Sequence, residues 1–544
     1  MNSSSVPVLI VGAGPTGLML AYCLARRGVP FRLIDKAKGR SETSRALVLH
    51  SRTLELLDGM GLIDPFLQAG RKLSAVKMRD AGKEVGGIDF RGLPSAHPYG
   101  LIVPQAITEN ILEEALLAVG GKVERPSELL ELRLENEGVW TKVQDAESVI
   151  EQKTYRYLAG CDGAHSAVRH SLGIEFPGGT YPEIFGLADA PLEGVSSLRL
   201  EEQGLVQYHE EGVVVLFPLP NGHFRLIVRL HGDAARDGIS TEELQEIVAR
   251  RVDPGLRVGQ PDWLTTFRTH HRRAVRFRRG NAFLLGDAAH IHSPAGGQGM
   301  NTGLQDAINL GWKMASVLSE NSPPNLLDTY EAERLPAAEH VLNTTDRMLK
   351  LSELHGKPAA LRDRILSKIT RVPLVQNTLA KDVAQLSLSY FWGPLSTEKR
   401  LAFFTPSQMR AGDRLPDARL NRPDGQQVRL HDEVRGKEFL LFVAPKTESI
   451  YGAGSYGEAK TFVERLTEDF RGHLSVFWLL TPKQSIALRG VLPDHYVDLA
   501  GEASHALGIS PSGAAFVRPD LYCAYADHSL NAGSLRLATS AFWT

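Results

Sequence analysis

Apolar residues fall along the chain in distinct patterns, and each pattern predicts a different kind of element. Short solid runs at 8–11, 31–34, 155–160 and 283–285 end at glycine, cysteine or aspartate, as buried strands do where they stop at a loop. Three of these runs lead into helical spacing. After the first, Gly17, Leu18, Ala21, Ala25 and Gly28 mark the inner stripe of a helix, and after the third a short helix closes at Gly173. After the fourth, Leu304, Ala307, Ile308, Gly311, Ala315 and Leu318 predict a helix beginning near Met300 to Thr302.

Elsewhere the pattern changes. Residues 53–57 form an amphipathic stretch closed by Gly59 and Gly61, and 72–99 alternate in short glycine-broken segments. The chain returns to an apolar run at 101–105, and a helix is predicted from about Thr108 to Val119, without the acid of a capping box. Alternation over 129–150, broken at 136–138, predicts a small antiparallel hairpin. Residues 180–273 hold strand-like runs at 212–217 and 223–230 and one helix at 241–251. Helical patterns fill 325–354, where Pro336 is expected to start or kink a helix. Residues 411–417 read as a turn-rich linker. Beyond it come a strand (437–443), a helix (458–470), a strand (474–480), a helix (502–507) and a hairpin (514–517 with 522–526).

Together these elements predict an α/β protein with three parts. A Rossmann-like nucleotide-binding domain takes residues 1–72, 100–179 and 275–400, the last with a helical region. A β-sheet domain inserted into it takes 73–99 and 180–274. A thioredoxin-like α/β domain takes 401–544 and carries no CxxC, so no redox role is assigned to it.

The chemistry begins at the first strand, which runs into Gly12-x-Gly14-x-x-Gly17 and then the helix; the next strand ends in Asp35, 18 residues after Gly17. This is the dinucleotide fingerprint in its required context. Glycines allow the turn and a close pyrophosphate approach, a helix N-terminus faces the phosphates, and an acid takes the ribose 2′-hydroxyl. The carboxylate argues against a 2′-phosphate, so FAD or NAD fits this site better than NADP. A second candidate is residues 283–318, FLLGDAAHIHSPAGGQGMNTGLQDAINLGWKMASVL. The loop 293–299 has too little side chain to form a core, so a ligand can approach bare backbone, and the helix start aims N–H groups at it. Asp287, at a strand end, suits a ligand hydroxyl.

Length and charge narrow the setting. The 544 residues suffice for about three domains. With 61 basic against 63 acidic residues, the net charge of -2 gives no electrostatic case for nucleic acid or an anionic membrane. No apolar run reaches the ~18 residues of a transmembrane helix. Cys23, Cys161 and Cys523 lie far apart with no metal-ligand spacing, and a reducing, cytoplasmic location is expected.

Gly12-x-Gly14-x-x-Gly17, Cys161-Asp162-Gly163 and Gly286-Asp287, in that order, resemble the FAD-dependent aromatic hydroxylases. These are the single-component flavoprotein monooxygenases related to para-hydroxybenzoate hydroxylase and phenol hydroxylase. The run GDAAHIHSPAGGQGMNTGLQDAINLGWKMA carries the most specific part of the likeness. It extends over residues 1 to about 395; past 400 the chain looks, more weakly, like the thioredoxin-like appendage of the phenol hydroxylase branch. The resemblance implies an FAD-binding domain with an inserted substrate domain. Gly12, Gly14 and Gly17, with Pro15 and Thr16 in the same turn, would hold the pyrophosphate; Asp35, followed by Lys36, would hold the adenosine ribose. Arg45 and Gln105 would contact the flavin nucleotide, and Asp162 and Gly163 both FAD and nicotinamide. Asp287 would bind the ribityl chain, and Pro294, Gly297, Gly299, Met300 and Asn301 would line the isoalloxazine. Asp35 departs from the commoner Glu by one methylene.

The activity so implied is hydroxylation of a phenolic or polycyclic aromatic substrate with NADPH or NADH and O2, through a flavin C4a-hydroperoxide. A single fingerprint is present, so the nicotinamide donor is expected to dock transiently. A Baeyer–Villiger or epoxidising oxygenase on the same scaffold stays open, as does a non-catalytic flavin-binding sensor. A halogenase is disfavoured because no WxWxIP occurs. A homodimer is an open expectation, with the C-terminal domain bracing the fold or mediating the contact.

Other residues have plainer readings. His290 and His292 lack a third ligand nearby and read as loop packing or pocket wall. His270 and His271 sit among Arg268, Arg272, Arg273, Arg276, Arg278 and Arg279; a solvated charged face or a nicotinamide-phosphate patch both account for them. Cys161 reads as a small buried residue. Phe217 is a candidate wall over the flavin, and Arg225 or Tyr208 a candidate partner for a phenolate. No catalytic base is identified.

Overall fold

A computed structural model describes residues 6–40, 46–230, 238–293, 296–352, 354, 357–369, 372–400, 408–445, 453–487, 492, 494–509, 513–528 and 531–542. Its nucleotide-type sheet has five strands in the order Arg278–Arg279, Ala282–Leu284, Tyr157–Gly160, Val8–Val11 and Phe31–Ile34. Three of its four pairings are parallel, with Val8 opposite Tyr157 and Phe31, and the edge strand Arg278–Arg279 pairs antiparallel with Ala282–Leu284. The first strand is buried along its length, which is why it reads as a solid apolar run rather than an alternation. Helix Pro15–Ala25 packs against helices Gln105–Ala118 and Gly299–Leu318. Contact with the latter is close because Gly311 has no side chain: a Cβ there would lie 2.5 Å from Cys23 Cβ.

A second sheet of eight strands is assembled from three stretches of chain. Its order is His290–Ile291, Trp263–Arg273, Gly178–Ala190, Phe224–Leu230, Val214–Pro218, Gln203–Tyr208, Ala75–Asp80 and Lys83–Asp89. Alternation sorts its faces. Ala188, Leu205, Val214, Leu216, Leu226 and Val228 pack with Leu244, Ile247 and Val248 of helix Thr241–Arg251. That helix is started by a capping box between Ser240 and Glu243. Met78, Val206, Tyr208, Val215, Phe217, Ile227 and Phe267 occupy the opposite face. The short strand His290–Ile291 joins this sheet by pairing with Arg272 and Arg273.

Several boundaries differ from the sequence expectation. The helix expected from about Thr108 is Gln105–Ala118, because Pro104 supplies the turn into it and Thr108 lies buried within. The hairpin expected over 129–150 is a three-stranded sheet of Glu128–Glu135, Gly138–Gln144 and Ile150–Tyr155. The run 155–160 therefore serves two sheets: Tyr155 ends the antiparallel one and Tyr157–Gly160 enters the parallel one. Pro336 lies inside the continuous helix Asp328–Ser352 and starts nothing. Residues 411–417 are no solvated linker. Ala411 and Leu415 are buried, and Gly412 and Leu415 donate backbone N–H groups to Cys523 O (2.7 Å) and Leu521 O (2.9 Å).

The C-terminal unit is an α/β layer around strands Phe439–Ala444, Leu474–Leu480, Gly513–Val517 and Cys523–Asp527. It is joined to the rest through buried charge. Glu333 accepts from Lys313 Nζ at 2.7 Å and from Arg518 Nη2 at 3.1 Å, and Arg518 also pairs with Asp520 at 2.6 Å. Asp520 in turn accepts from Asn309 at 3.1 Å. Nearby, Arg414 pairs with the fully buried Glu55 at 2.8 Å. Burial opposes the charge on Glu333, yet Arg518 and Lys313 outweigh it and hold the carboxyl at about 2; burial brings Lys313 down to about 8 against the pull of Glu333. Removing one member strands a buried charge, which costs ~3–5 kcal/mol. Arg518→Met is therefore expected to lose that much stability in denaturant unfolding; a loss below ~1 kcal/mol would show that the cluster does not brace the fold.

Candidate active site

The three glycines of the fingerprint do different work. A Cβ at Gly12 (φ +100°) would meet Cys161 O at 2.4 Å, and one at Gly17 would meet Gly12 O at 1.9 Å. These two are glycine because backbone is already there. Among the described residues nothing lies within 4 Å of a Cβ added at Gly14, so it is the position left open to a ligand. Gly14 is also the N-cap of helix Pro15–Ala25, with Pro15 at its first turn and no side-chain cap, so the N–H groups of that turn face the opening. Thr16 is wedged where three elements meet: Cβ atoms added at Gly286 and Gly303 would lie 2.6 and 2.4 Å from its Oγ1. The fingerprint, the Gly286-Asp287 turn and the long helix are thus in direct contact.

Asp35 fastens the glycine loop, accepting from Ala13 N at 2.7 Å and Ala37 N at 2.8 Å. Each carboxylate oxygen keeps a second lone pair for a ligand hydroxyl. Lys36 beside it is exposed. Gln105 accepts from Ala46 N at 3.4 Å and donates to Glu109 at 2.9 Å. Arg45 and Pro294 lie outside the described residues. Asp162 accepts from Val168 N at 3.1 Å through Oδ2, whereas its Oδ1 is buried with no partner among the described residues, and burial pushes the carboxyl up. Gly163 (φ +77°) is open like Gly14. Arg169, which the sequence reading did not single out, ties this segment to the neighbouring turn by donating to Ala164 O and Ala288 O, both at 2.9 Å.

Asp287 is exposed on a single 3-10 turn, Gly286–Ala288. The turn is held from below by Asp306, which is fully buried. Asp306 Oδ2 accepts from Gly286 N (3.0 Å) and His290 Nε2 (2.6 Å), and Oδ1 accepts from Arg334 Nε (2.7 Å). Burial works against this carboxylate, but His290 and Arg334 prevail and hold its pKa below the usual range. His292 Nε2 lies 3.0 Å from His290 Nδ1. The histidine pair is packed into this network beneath the loop. Asp306, Asn309 and Lys313 recur at helical spacing inside a buried apolar helix, and that was the sequence signal for a buried polar network.

Gly296 (φ +79°) and Gly297 (φ +64°) are both left-handed, and helix Gly299–Leu318 starts just beyond, with Gly299 open and Met300 half-buried. Asn301 is fully buried. It accepts from His50 N at 2.8 Å and donates to Val48 O at 2.7 Å and Gly297 O at 2.9 Å. His50 Nε2 lies 2.7 Å from Gly296 O. Burial pushes the His50 imidazole down to about 4, and it holds His292 well below the ordinary value too.

Over this loop lies the apolar face of the eight-stranded sheet. Phe217, Val76 and Ile88 pack in one cluster with Leu47, Val48 and Met348, and Gly296 approaches Met348 Sδ. Tyr208 is buried beside Met78, with the Arg362 guanidinium 4.0 Å above its ring, and burial pushes its phenol up to about 12. Arg225 makes a two-bond pair with Asp189, both at 2.7 Å, and Arg229 pairs with Glu183 at 3.0 Å.

The open glycines, the orphaned Asp162 oxygen and the uncapped helix start fit an extended dinucleotide. Comparison with known proteins points the same way. The model of the FAD binding domain family matches residues 5–345. Pentachlorophenol 4-monooxygenase of Sphingobium chlorophenolicum is 32% identical over 545 residues, covering 98% of this chain and 96% of that one. The structure of anhydrotetracycline hydroxylase from Streptomyces rimosus aligns at a TM-score of 0.75 and 29% identity over 98% of each chain. A ternary complex of aklavinone-11 hydroxylase with FAD and aklavinone shares the fold at a TM-score of 0.77 and 23% identity over 100% of both chains.

Two outcomes follow from this geometry. Gly14→Val should leave a folded protein that binds FAD at least about tenfold more weakly, whereas Gly17→Val should fail to fold; equal behaviour of the two would contradict the division of labour. Acid should act through His50. Between about 6.5 and 4 the unfolded chain protonates this residue and the folded chain does not, so stability falls as pH falls through that window. The difference from His50→Gln, measured by denaturant unfolding at stepped pH, should reach ~3 kcal/mol at the acid end.

Proposed function

The chain belongs to the FAD-binding-domain family of flavoprotein monooxygenases, and on that premise we propose that it hydroxylates a phenolic or polycyclic aromatic substrate using NAD(P)H and O2. Bound FAD would supply the redox chemistry that links nicotinamide oxidation to O2. The rest is the work of this chain. Gly14 and the start of helix Pro15–Ala25 would hold the pyrophosphate, Asp35 the adenosine ribose, Asp162 and Asp287 the polyol portion, and Gly296–Asn301 the ring system. The N–H groups at the start of helix Gly299–Leu318 would stabilise negative charge on a reduced ring.

The observation that carries the substrate class is the apolar sheet face over the glycine loop. Phe217, clustered with Val48 and Met348, and Met78, Val206, Val215, Ile227 and Phe267 in the neighbouring cluster on the same face would offer apolar contact and exclude water. Arg225 and Arg229 are neutralised within the sheet by Asp189 and Glu183, so these two cations act as struts. Tyr208, under Arg362, belongs to the wall. A neutral, extended ring system suits such a surface better than a small carboxylated phenol. Phenolic or polycyclic substrates are consistent with what the named relatives act on: pentachlorophenol, anhydrotetracycline and aklavinone.

No helix among the described residues is long and apolar enough to cross a membrane, and Cys23, Cys161 and Cys523 are free thiols. We place the protein in the cytoplasm on the thiols, and carry a homodimer forward as its assembly.

The test is a screen of neutral polycyclic phenols against small carboxylated ones, scored by NAD(P)H consumption and product mass. Substrate-stimulated oxidation with one oxygen atom added to the polycyclic phenol is expected. Asp287→Ala should weaken FAD binding at least about tenfold, as loss of a charged hydrogen bond to a ligand does. No stimulation by any phenol, or preference for the carboxylated set, would overturn the substrate reading. An Asp287→Ala protein with tight FAD would overturn the site.

A further inference from the structure

His50 occupies the N-cap position of helix Ser51–Gly59 but makes no cap hydrogen bond with its side chain. Ser, Thr, Asp or Asn there would stabilise the helix by about 1 kcal/mol. The imidazole is turned instead toward Gly296 O, 2.7 Å away, and is almost completely buried. A carbonyl only accepts, so the neutral ring donates through Nε2–H.

The partner is informative. Two successive glycines, Gly296 and Gly297, have little conformational preference of their own, so bonds from outside must set their left-handed turn. Each carbonyl is held by one side chain: Gly296 O by His50 and Gly297 O by Asn301, which also accepts from His50 N. A trans peptide is planar, with its C=O and N–H pointing to opposite sides. Fixing Gly296 O on His50 therefore turns the Gly297 N–H the other way, and fixing Gly297 O does the same for the Gln298 N–H. Among the described residues neither N–H has a hydrogen-bond partner. Gly297 is left-handed and Gln298 right-handed (φ -85°, ψ -28°), and successive N–H groups of such an alternating pair form a concave donor site for an electron-rich acceptor.

We propose that His50 is a positioning residue for the flavin: by holding Gly296 O it aims the Gly297 and Gln298 N–H groups at the bound ring system and so raises its electron affinity. This rests on the reading of residues 296–301 as the flavin-facing segment. His50 touches no reacting atom. It acts through the peptide plane it orients, and a ring that becomes electron-rich on reduction gains more from those donors than the oxidised ring does.

The experiment compares His50→Asn with His50→Gln in the FAD-loaded protein. Asn is a good N-cap, which protects the fold, but is too short to reach Gly296 O; Gln places its Nε2 close to the position of the imidazole Nε2. Reduction potential by spectroelectrochemistry, the visible flavin spectrum and FAD affinity are read in each, with Gly297→Ala as a check on the segment itself. In His50→Asn the preference for reduced over oxidised flavin should fall about tenfold, a potential ~30 mV lower for a two-electron couple, with a shifted spectrum. His50→Gln should stay within about twofold of wild type. If Gly297→Ala shifts potential and spectrum while His50→Asn does not, the proposal for His50 is overturned. If neither variant moves them, the flavin-facing reading of 296–301 fails with it. Equal shifts in His50→Asn and His50→Gln would assign the effect to general packing and also overturn the proposal.

Discussion

A carboxylate sealed from water must have its charge answered on both oxygens, and at Asp306 that requirement organises the site. One oxygen is taken by Gly286 N and His290, the other by Arg334. Those partners belong to the turn carrying Asp287, to the short strand that enters the eight-stranded sheet, and to the helix Asp328–Ser352. Arg334 extends the network to Tyr390 at 2.8 Å and to Thr302 O at 3.2 Å. One buried charge thus fixes the turn carrying Asp287, the start of the long helix and the edge of the eight-stranded sheet relative to one another. A flavin site needs such rigidity, since its donors act only where they are held.

The sequence was most informative where a function demands bare backbone or an unbroken apolar run. The parallel strands, the glycine loop and the 283–318 segment were legible for that reason, and the family model covers them. Which glycine has open space beside it was not. Gly14 and Gly17 look alike in the chain and differ only in what stands opposite, a long-range fact. Packing was equally hidden at 411–417, where turn residues suggested a linker but backbone bonds run to the 513–527 hairpin. Polar side chains were the least legible. Arg225 looked like a phenolate partner on alternation alone, and its Asp189 partner comes from a strand 36 positions earlier. His50 gave no signal, since a histidine before an amphipathic helix has many ordinary explanations.

The C-terminal unit is a structural partner rather than a tethered module. Its Arg518 and Asp520 complete a charge cluster whose other members, Lys313 and Glu333, lie on the two helices behind the glycine loop. Trp312 and Phe542 add an aromatic contact across the same boundary, with ring centroids 6.1 Å apart. All three thiols of the chain are held up by burial, which keeps them poor nucleophiles.

The way the two large sheets are threaded has a consequence for how the molecule is made. Val8–Val11 cannot find its inner neighbour until Tyr157–Gly160 exists, and the eight-stranded sheet takes strands from as far apart as Ala75–Asp80 and His290–Ile291. Contacts of that sequence separation form slowly, because loop-closure entropy is lost before burial returns it. Glu333, already paired with Lys313, then waits for Arg518, 185 positions further along. During synthesis the emerging polypeptide therefore holds buried-type apolar strands without their neighbours until those distant partners have been made, the condition in which exposed apolar surface favours aggregation.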